Sequence, residues 1–327
     1  MKISERIISI TLIIIMVIIP IFLIIALIIA FLTAKNMANP KKYNKEDILK
    51  EDIEGVGKLF DLKKYIQKGP LKTETLITIE NKKIEYEIWG KETNKKYVIL
   101  VHGMYNTRER MYKYAKVWND AGYNAIAFDG RGWGTNAILG RCTMGYKEPD
   151  VIQEIYLDVV EKYKTRNIGL HGESMGGATV FNWIKKYRKF TPVQFVVAEA
   201  GYMDFRKPAL LGIKKYKVPT VMAIAIYPLV KLWLLTFGIN LWKVNVKQKH
   251  IKQWFDIPML LIHSKTDSVV PWEEYERIKE MLQKSKVDFE TLELEEGNHV
   301  RILTNKDIQK EWVEEINKFI KEVENEK

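Results

Sequence analysis

Downstream of about residue 71, apolar residues recur with two alternating spacings. TETLITIE and KKIEYEIWG read as a hairpin of two strands joined near Asn81. KYVILVHG, NAIAFD, NIGLHG, QFVVAEA and PMLLIHS are short apolar runs of the kind that form buried strands. Helical spacing appears at about 108–120, at 149–164 and from Ser174 to about Lys189. A last strand, VDFETLEL, precedes a helix at about 307–322. Such alternation predicts an α/β sandwich with a mostly parallel central sheet.

Two segments depart from that rhythm. Residues 7–32 hold no charged side chain over 26 positions, and as a helix they would extend roughly 39 Å, enough to cross a bilayer with some tilt. Residues 1–35 are therefore expected to be a single N-terminal membrane anchor, the run being longer than the apolar part of a cleaved signal peptide. Lysines flank it on both sides (Lys2, Lys35, Lys41, Lys42), so charge does not orient it; a catalytic domain outside the cell is the expectation carried forward. Residues 36–70 read as a lysine-rich juxtamembrane linker with one helix near 47–65, and residues 71–327 as the folded domain. The second departure is an insertion at about 201–256, expected to be a helical cap. Between Phe205 and Phe255 it contains no Asp or Glu, yet it is rich in lysine and includes the apolar run VMAIAIYPLVKLWLLTFGINLW. Its apolar faces are expected to cover a cleft. Its lysines, with Trp233, Trp242 and Trp254, suit a surface that meets anionic lipid.

Composition narrows the class without choosing the function. Fifty-two Lys and Arg against 41 Asp and Glu give a formal charge of +11, but the lysines are spread along the whole chain, and no nucleic-acid partner is expected. One cysteine, Cys142, excludes an internal disulfide and a thiolate metal cluster. His and carboxylate residues show no metal-ligand spacing, and neither DGRGWG nor HGESMGG completes a nucleotide-binding motif, so no cofactor or metal is expected. Nothing in the sequence sets an oligomeric state.

Chemistry gathers at the carboxyl ends of the expected strands, where open parallel sheets bind ligands. In LHGESMGGAT, Ser174 lies between a strand and a helix, the context of a strained nucleophile turn, with Gly172 and Gly176 permitting close approach and Gly177 keeping the next turn small. A serine hydroxyl needs a base, and the base needs an acid to hold its tautomer. Of the five histidines, His299 follows the last strand on a loop. His171 and His263 fall within strands, His250 sits in a basic segment, and His102 braces a loop. Asp267, after PMLLIHS, is the expected acid; Asp204 is the alternate, and Asp256 lies at the wrong strand end.

Taken together, VHGMYN, DGRGWG, GESMGG, SKTDSVVP and GNH resemble, in order, the motifs of the α/β-hydrolase superfamily. The stretch from Gly130 to Asp150 is further similar to bacterial membrane-associated serine hydrolases related to serine aminopeptidases. Asn136 stands where many relatives have serine, and Ser264 where many have glycine. The resemblance implies an α/β-hydrolase fold, an oxyanion hole from the main-chain N–H groups of Met104 and Met175, and loop support from His102, Gly103, Asp129 and Arg131. Asp129 and Arg131 would act through a salt bridge or through bonds to main-chain groups. The expected activity is cleavage of a carboxylic ester, the substrate being a small-molecule or lipid acyl ester. A peptidase, an amidase, an acyltransferase and a non-catalytic membrane scaffold remain alternatives.

Overall fold

The structure, a computed structural model, describes residues 6, 9, 11–40, 44–78, 80–214 and 219–325. Among the features read above, Lys2, Ile7, Ile8, Ile10, Lys41, Lys42, Ile79 of TETLITIE, and two lysines of the insertion, Lys215 and Lys217, lie outside them. Eight strands form one sheet in the order β1-β2-β4-β3-β5-β6-β7-β8. They are β1 (Lys72–Ile77), β2 (Lys83–Trp89), β3 (Lys96–Val101), β4 (Tyr123–Phe128), β5 (Ile168–Glu173), β6 (Val196–Glu199), β7 (Met259–Ser264) and β8 (Phe289–Leu294). The β1–β2 hairpin is antiparallel and joins β4 antiparallel; every later pairing is parallel.

Period-two alternation sends the side chains of each central strand to two cores. Tyr97, Ile99 and Val101 of β3 pack with the helices Glu148–Tyr163, Met175–Tyr187 and Trp272–Lys284 on one face. Val98 and Leu100 pack with Tyr112–Asp120 and Gln309–Asn325 on the other. A third cluster lies above the carboxyl ends of the strands. It joins Met175 and Ala178 to the helices Arg206–Lys214 and Thr220–Thr236 of the insertion and, from the N-terminal helix, Ala30, Ala34 and Ala38.

That N-terminal helix, Thr11–Ala38, is the one helix among the described residues long and apolar enough to cross a membrane. It is not separate from the rest of the molecule. Alanines at every fourth position make a smooth stripe that lets Thr220–Thr236 approach closely, and Phe31 meets Trp233 edge to face at 5.1 Å.

The stretch read as a linker likewise folds against the domain. Gly57, at φ 57°, divides it into two helices, Lys45–Val56 and Leu62–Lys68, where one helix was expected. Ile48, Val56 and Leu62 are buried, and Asp52 sits beneath the surface between Arg110 (2.6 Å) and Lys113 (3.4 Å). In the insertion, Trp254 departs from its expected place at a lipid interface. It is buried and stacks on Phe181, because the turn after the short helix Gln248–Ile251 folds down against the core, whereas Trp242 stays exposed.

Candidate active site

Ser174 is the residue between β5 and the helix Met175–Tyr187, at φ 54° and ψ −117°. An L residue held there stores of order 1–3 kcal/mol, which the surrounding packing must impose. Gly176 shows how. A Cβ at that position would lie 1.9 Å from the Val101 carbonyl oxygen, so only glycine lets the helix start against β3. Gly172 meets Gly176 and Gly177 meets Gly201 at similarly close range. The helix therefore begins directly behind the serine, and its first-turn N–H groups face the space above it.

His299 Nε2 lies 2.7 Å from Ser174 Oγ, and its Nδ1 lies 2.7 Å from Asp267 Oδ2. The other Asp267 oxygen accepts the main-chain N–H groups of Val269 (2.8 Å) and Val270 (2.9 Å). Burial opposes the Asp267 carboxylate, but the hydrogen bond and positive charge offered by His299 outweigh it and hold Asp267 below the usual carboxylate range. The structure thus brings the three residues together. Asp204 is engaged elsewhere, accepting from Arg206 N–H and the Asn245 amide, and Asp256 pairs with Arg188.

The remaining histidines are occupied. His263 bonds the Val270 carbonyl and stacks on Tyr275, while His171 accepts from Trp118 Nε1. Burial, then the charge of Lys113, lowers His171 to about 3, so its ring stays neutral. Burial, then the Glu148 carboxylate, pushes the Cys142 thiol well above its ordinary value, so it stays protonated and unreactive.

The loops carrying the expected oxyanion donors are braced on every side. Met104 and Met175 both line the cleft beside Ser174, and a Cβ on Gly103 would stand 3.2 Å from that of Ser174. His102 accepts from Gly130 N–H at Nε2, leaving Nδ1–H to donate to the Gly103 carbonyl at 2.7 Å. Asp129 and Arg131 do not pair with each other. Asp129 accepts from the main chain of Arg108 and Thr135, and Arg131 donates to the Arg141 carbonyl. Both departures from the family pattern have structural work. Asn136 bonds both main-chain groups of Glu85 and the Asp129 carbonyl, tying this loop to β2. Ser264 Oγ meets Thr266 Oγ1 at 3.1 Å. Thr266 in turn exchanges hydrogen bonds with both main-chain groups of Gly297, and so ties the Asp267 loop to the His299 loop.

Sequence reasoning missed Thr266 and the buried acids beneath Ser174. Glu173 Oε1 lies 3.3 Å from Gly103 N and 3.4 Å from Asn106 Nδ2, and Tyr114 Oη lies within 3.2 Å of both Glu173 and Glu199. Their signal was available: Glu173 and Glu199 end adjacent parallel strands, and the register sets them side by side. Burial and then the charge of Glu173 push Glu199 up from 4.5 to about 7, against Lys113 and the bonds from Trp312 and Tyr114. A raised carboxyl pKa means that the folded chain binds this proton more tightly than the unfolded one. The stability it confers is complete below pH 4.5, declines between 4.5 and about 7, and is gone above. Glu199→Gln, which mimics the protonated acid, should therefore flatten the fall in Tm between pH 5 and 8. The wild-type loss it removes is roughly 3 kcal/mol. Parallel Tm–pH curves for the two proteins would refute this.

Residues 92–233 match the family described as serine aminopeptidase, S33, and residues 232–327 match the prolyl oligopeptidase family. An uncharacterized protein of Bacillus subtilis (strain 168), YqkD, is 24% identical over 243 residues, covering 73% of this chain and 76% of that one. The solved structure of the Pyrococcus furiosus esterase Pf2001 superposes with a TM-score of 0.60 at 22% identity, over 77% of this chain and 90% of that chain. A membrane phospholipase A, described as a bacterial virulence factor, gives 0.54 at 14%, over 78% and 87%. The mostly parallel sheet and the superposition show an α/β-hydrolase fold, and the two family matches support a relationship to the α/β-hydrolase superfamily.

Proposed function

We propose that this protein is a membrane-anchored serine hydrolase that cleaves a carboxylic ester with an apolar acyl group. The observation that carries the reading is His299 set between Ser174 Oγ and Asp267 Oδ2, at 2.7 Å from each, on the wall of a cleft of about 750 Å³. In the forward step Ser174 Oγ bonds to the ester carbonyl carbon while its proton passes to His299 Nε2. The N–H groups of Met104 and Met175 receive the developing oxyanion, and Asp267 stabilises the imidazolium. His299 then gives its proton to the departing alcohol, leaving the acyl group on Ser174. Water attacks next, His299 takes its proton, and the acid leaves as Ser174 Oγ recovers a hydrogen.

The apolar side chains of Met104, Phe205, Ile213 and Val269 along the cleft favour an apolar acyl group. Anchoring is supported by the N-terminal helix, whose residues Leu12 to Leu32 turn large apolar side chains outward. Both matching families are named for peptidases, which favours amide cleavage by the same groups as the second reading. A fluorophosphonate probe tests the chemistry on detergent-solubilised full-length protein. Labelling should occur in the wild type and vanish in Ser174→Ala. Turnover of p-nitrophenyl esters should exceed that of aminoacyl anilides; the reverse order would move the assignment to a peptidase, and an unlabelled, folded wild type would end it.

A further inference from the structure

The cleft above Ser174 is not closed by the hydrolase domain alone. Thr33, Asn36 and Met37, on the last turns of the N-terminal helix, form part of its wall, facing Pro208, Ala209 and Ile213 of the helix Arg206–Lys214. These positions begin one residue beyond the strongly apolar run that ends at Leu32. At 1.5 Å per residue, positions 33–37 lie within roughly 8 Å of the end of that run. When residues 7–32 span a bilayer, the wall of the cleft therefore stands at the membrane–water boundary. Lys35 marks the same level, exposed on the helix between Thr33 and Met37.

The neighbouring helix Thr220–Thr236 has no polar face to give to water. Ala223, Ile226, Tyr227, Val230 and Leu234 pack inward, while Val221, Met222, Ile224, Leu232 and Leu235 are exposed on the outside. Its single charged residue, Lys231, folds over the ring of Trp242, 3.9 Å from the centroid. A helix apolar all round needs an apolar surrounding on each side. The inner side has the alanine stripe of the N-terminal helix, and the outer side, like Leu12 to Leu32 of that helix, exposes large apolar side chains.

We propose that the gap between residues 33–37 and 208–213 is a lipid portal. An acyl ester resident in the bilayer enters the cleft sideways, with the outer face of Thr220–Thr236 seated in the same leaflet. The natural substrate is then a membrane lipid ester, and Thr33 and Met37 help to select it. This inference rests on the serine-esterase reading for its chemistry, but the route into the cleft is testable apart from it.

Full-length protein in phosphatidylcholine vesicles is assayed on p-nitrophenyl butyrate added from water and on a fluorogenic diacyl lipid ester held in the same vesicles. Thr33→Trp and Met37→Trp narrow the portal, and each should lower the ratio of lipid to water-borne turnover at least tenfold. A ratio unchanged within twofold, in variants that still label with fluorophosphonate, overturns the portal. Because a bulky variant can fail to fold, Ser174→Ala protein with an unaltered portal is also irradiated in vesicles containing a diazirine-tagged phosphatidylcholine. Adducts on Ile213, Val269 or Val270, inside the cleft, are expected; adducts confined to residues 11–32 and 220–236 overturn the proposal. Adducts in the cleft together with a wild type that cleaves neither ester would keep the portal and overturn the esterase reading instead.

Discussion

Ser174→Ala is expected to lower kcat for a p-nitrophenyl ester by roughly a hundred-thousand- to million-fold, with the fold retained. The hydroxyl removed is the group 2.7 Å from His299 Nε2. Its neighbour Cys142 holds its proton in a buried site, and its sulfur points at Met175 Sδ. Stability should change by less than about 1 kcal/mol, because alanine keeps the backbone at φ 54° under the same constraints and loses no apolar contact. His299→Ala should cost a comparable factor. The double variant should be no worse than either single one, since serine and histidine act as one unit. Steady-state kinetics with urea denaturation of each variant measures both quantities. Losses that multiply in the double variant would show that His299 acts on something other than the Ser174 proton.

How much of this was legible depends on whether the information was local. Ser174 carried its own context: an apolar run before it, helical spacing behind, and glycines where β3, β5 and the following helix converge. The order of Asp267 and His299 after their strands was equally readable. What escaped were pairings between distant segments. Asp52 sits in a lysine-rich stretch that reads as solvated until Arg110, 58 positions later, folds over it. Ala30, Ala34 and Ala38 were visible as small residues, but Ala30 is hidden in an apolar run where every position already has a reason to be apolar, and Ala34 and Ala38 fall beyond it among polar residues. Only the three-dimensional contact with Thr220–Thr236 separates the packing face of the helix from its exposed face. Trp254 failed for the opposite reason: its basic neighbours suggested a surface, while Phe181 supplied a stacking partner from the helix Met175–Tyr187. Thr266 had no sequence signal, since its value lies in the Gly297 main chain that it binds.

Asp267→Asn should lower kcat by roughly ten-thousand-fold while changing KM little, and the geometry gives a reason beyond lost charge. One side-chain oxygen of residue 267 accepts two main-chain N–H groups, from Val269 and Val270. An asparagine must place its carbonyl oxygen there, because an NH2 group facing two donors would leave all of them unpaired. Its NH2 is then driven toward His299 Nδ1, where the carboxylate now accepts. The histidine responds by putting its proton on Nε2, the nitrogen facing Ser174, and a protonated Nε2 cannot accept the serine proton. Two other carboxylates with any claim to the role cannot step in. Asp204 is held by Arg206 N–H and Asn245, and Asp256 by Arg188. The tautomer itself can be read by 15N NMR of the neutral imidazole: the wild type should carry its proton on Nδ1 and the variant on Nε2. Near-normal turnover in Asp267→Asn, or an unchanged tautomer alongside the kinetic loss, would mean that Asp267 does not orient the base.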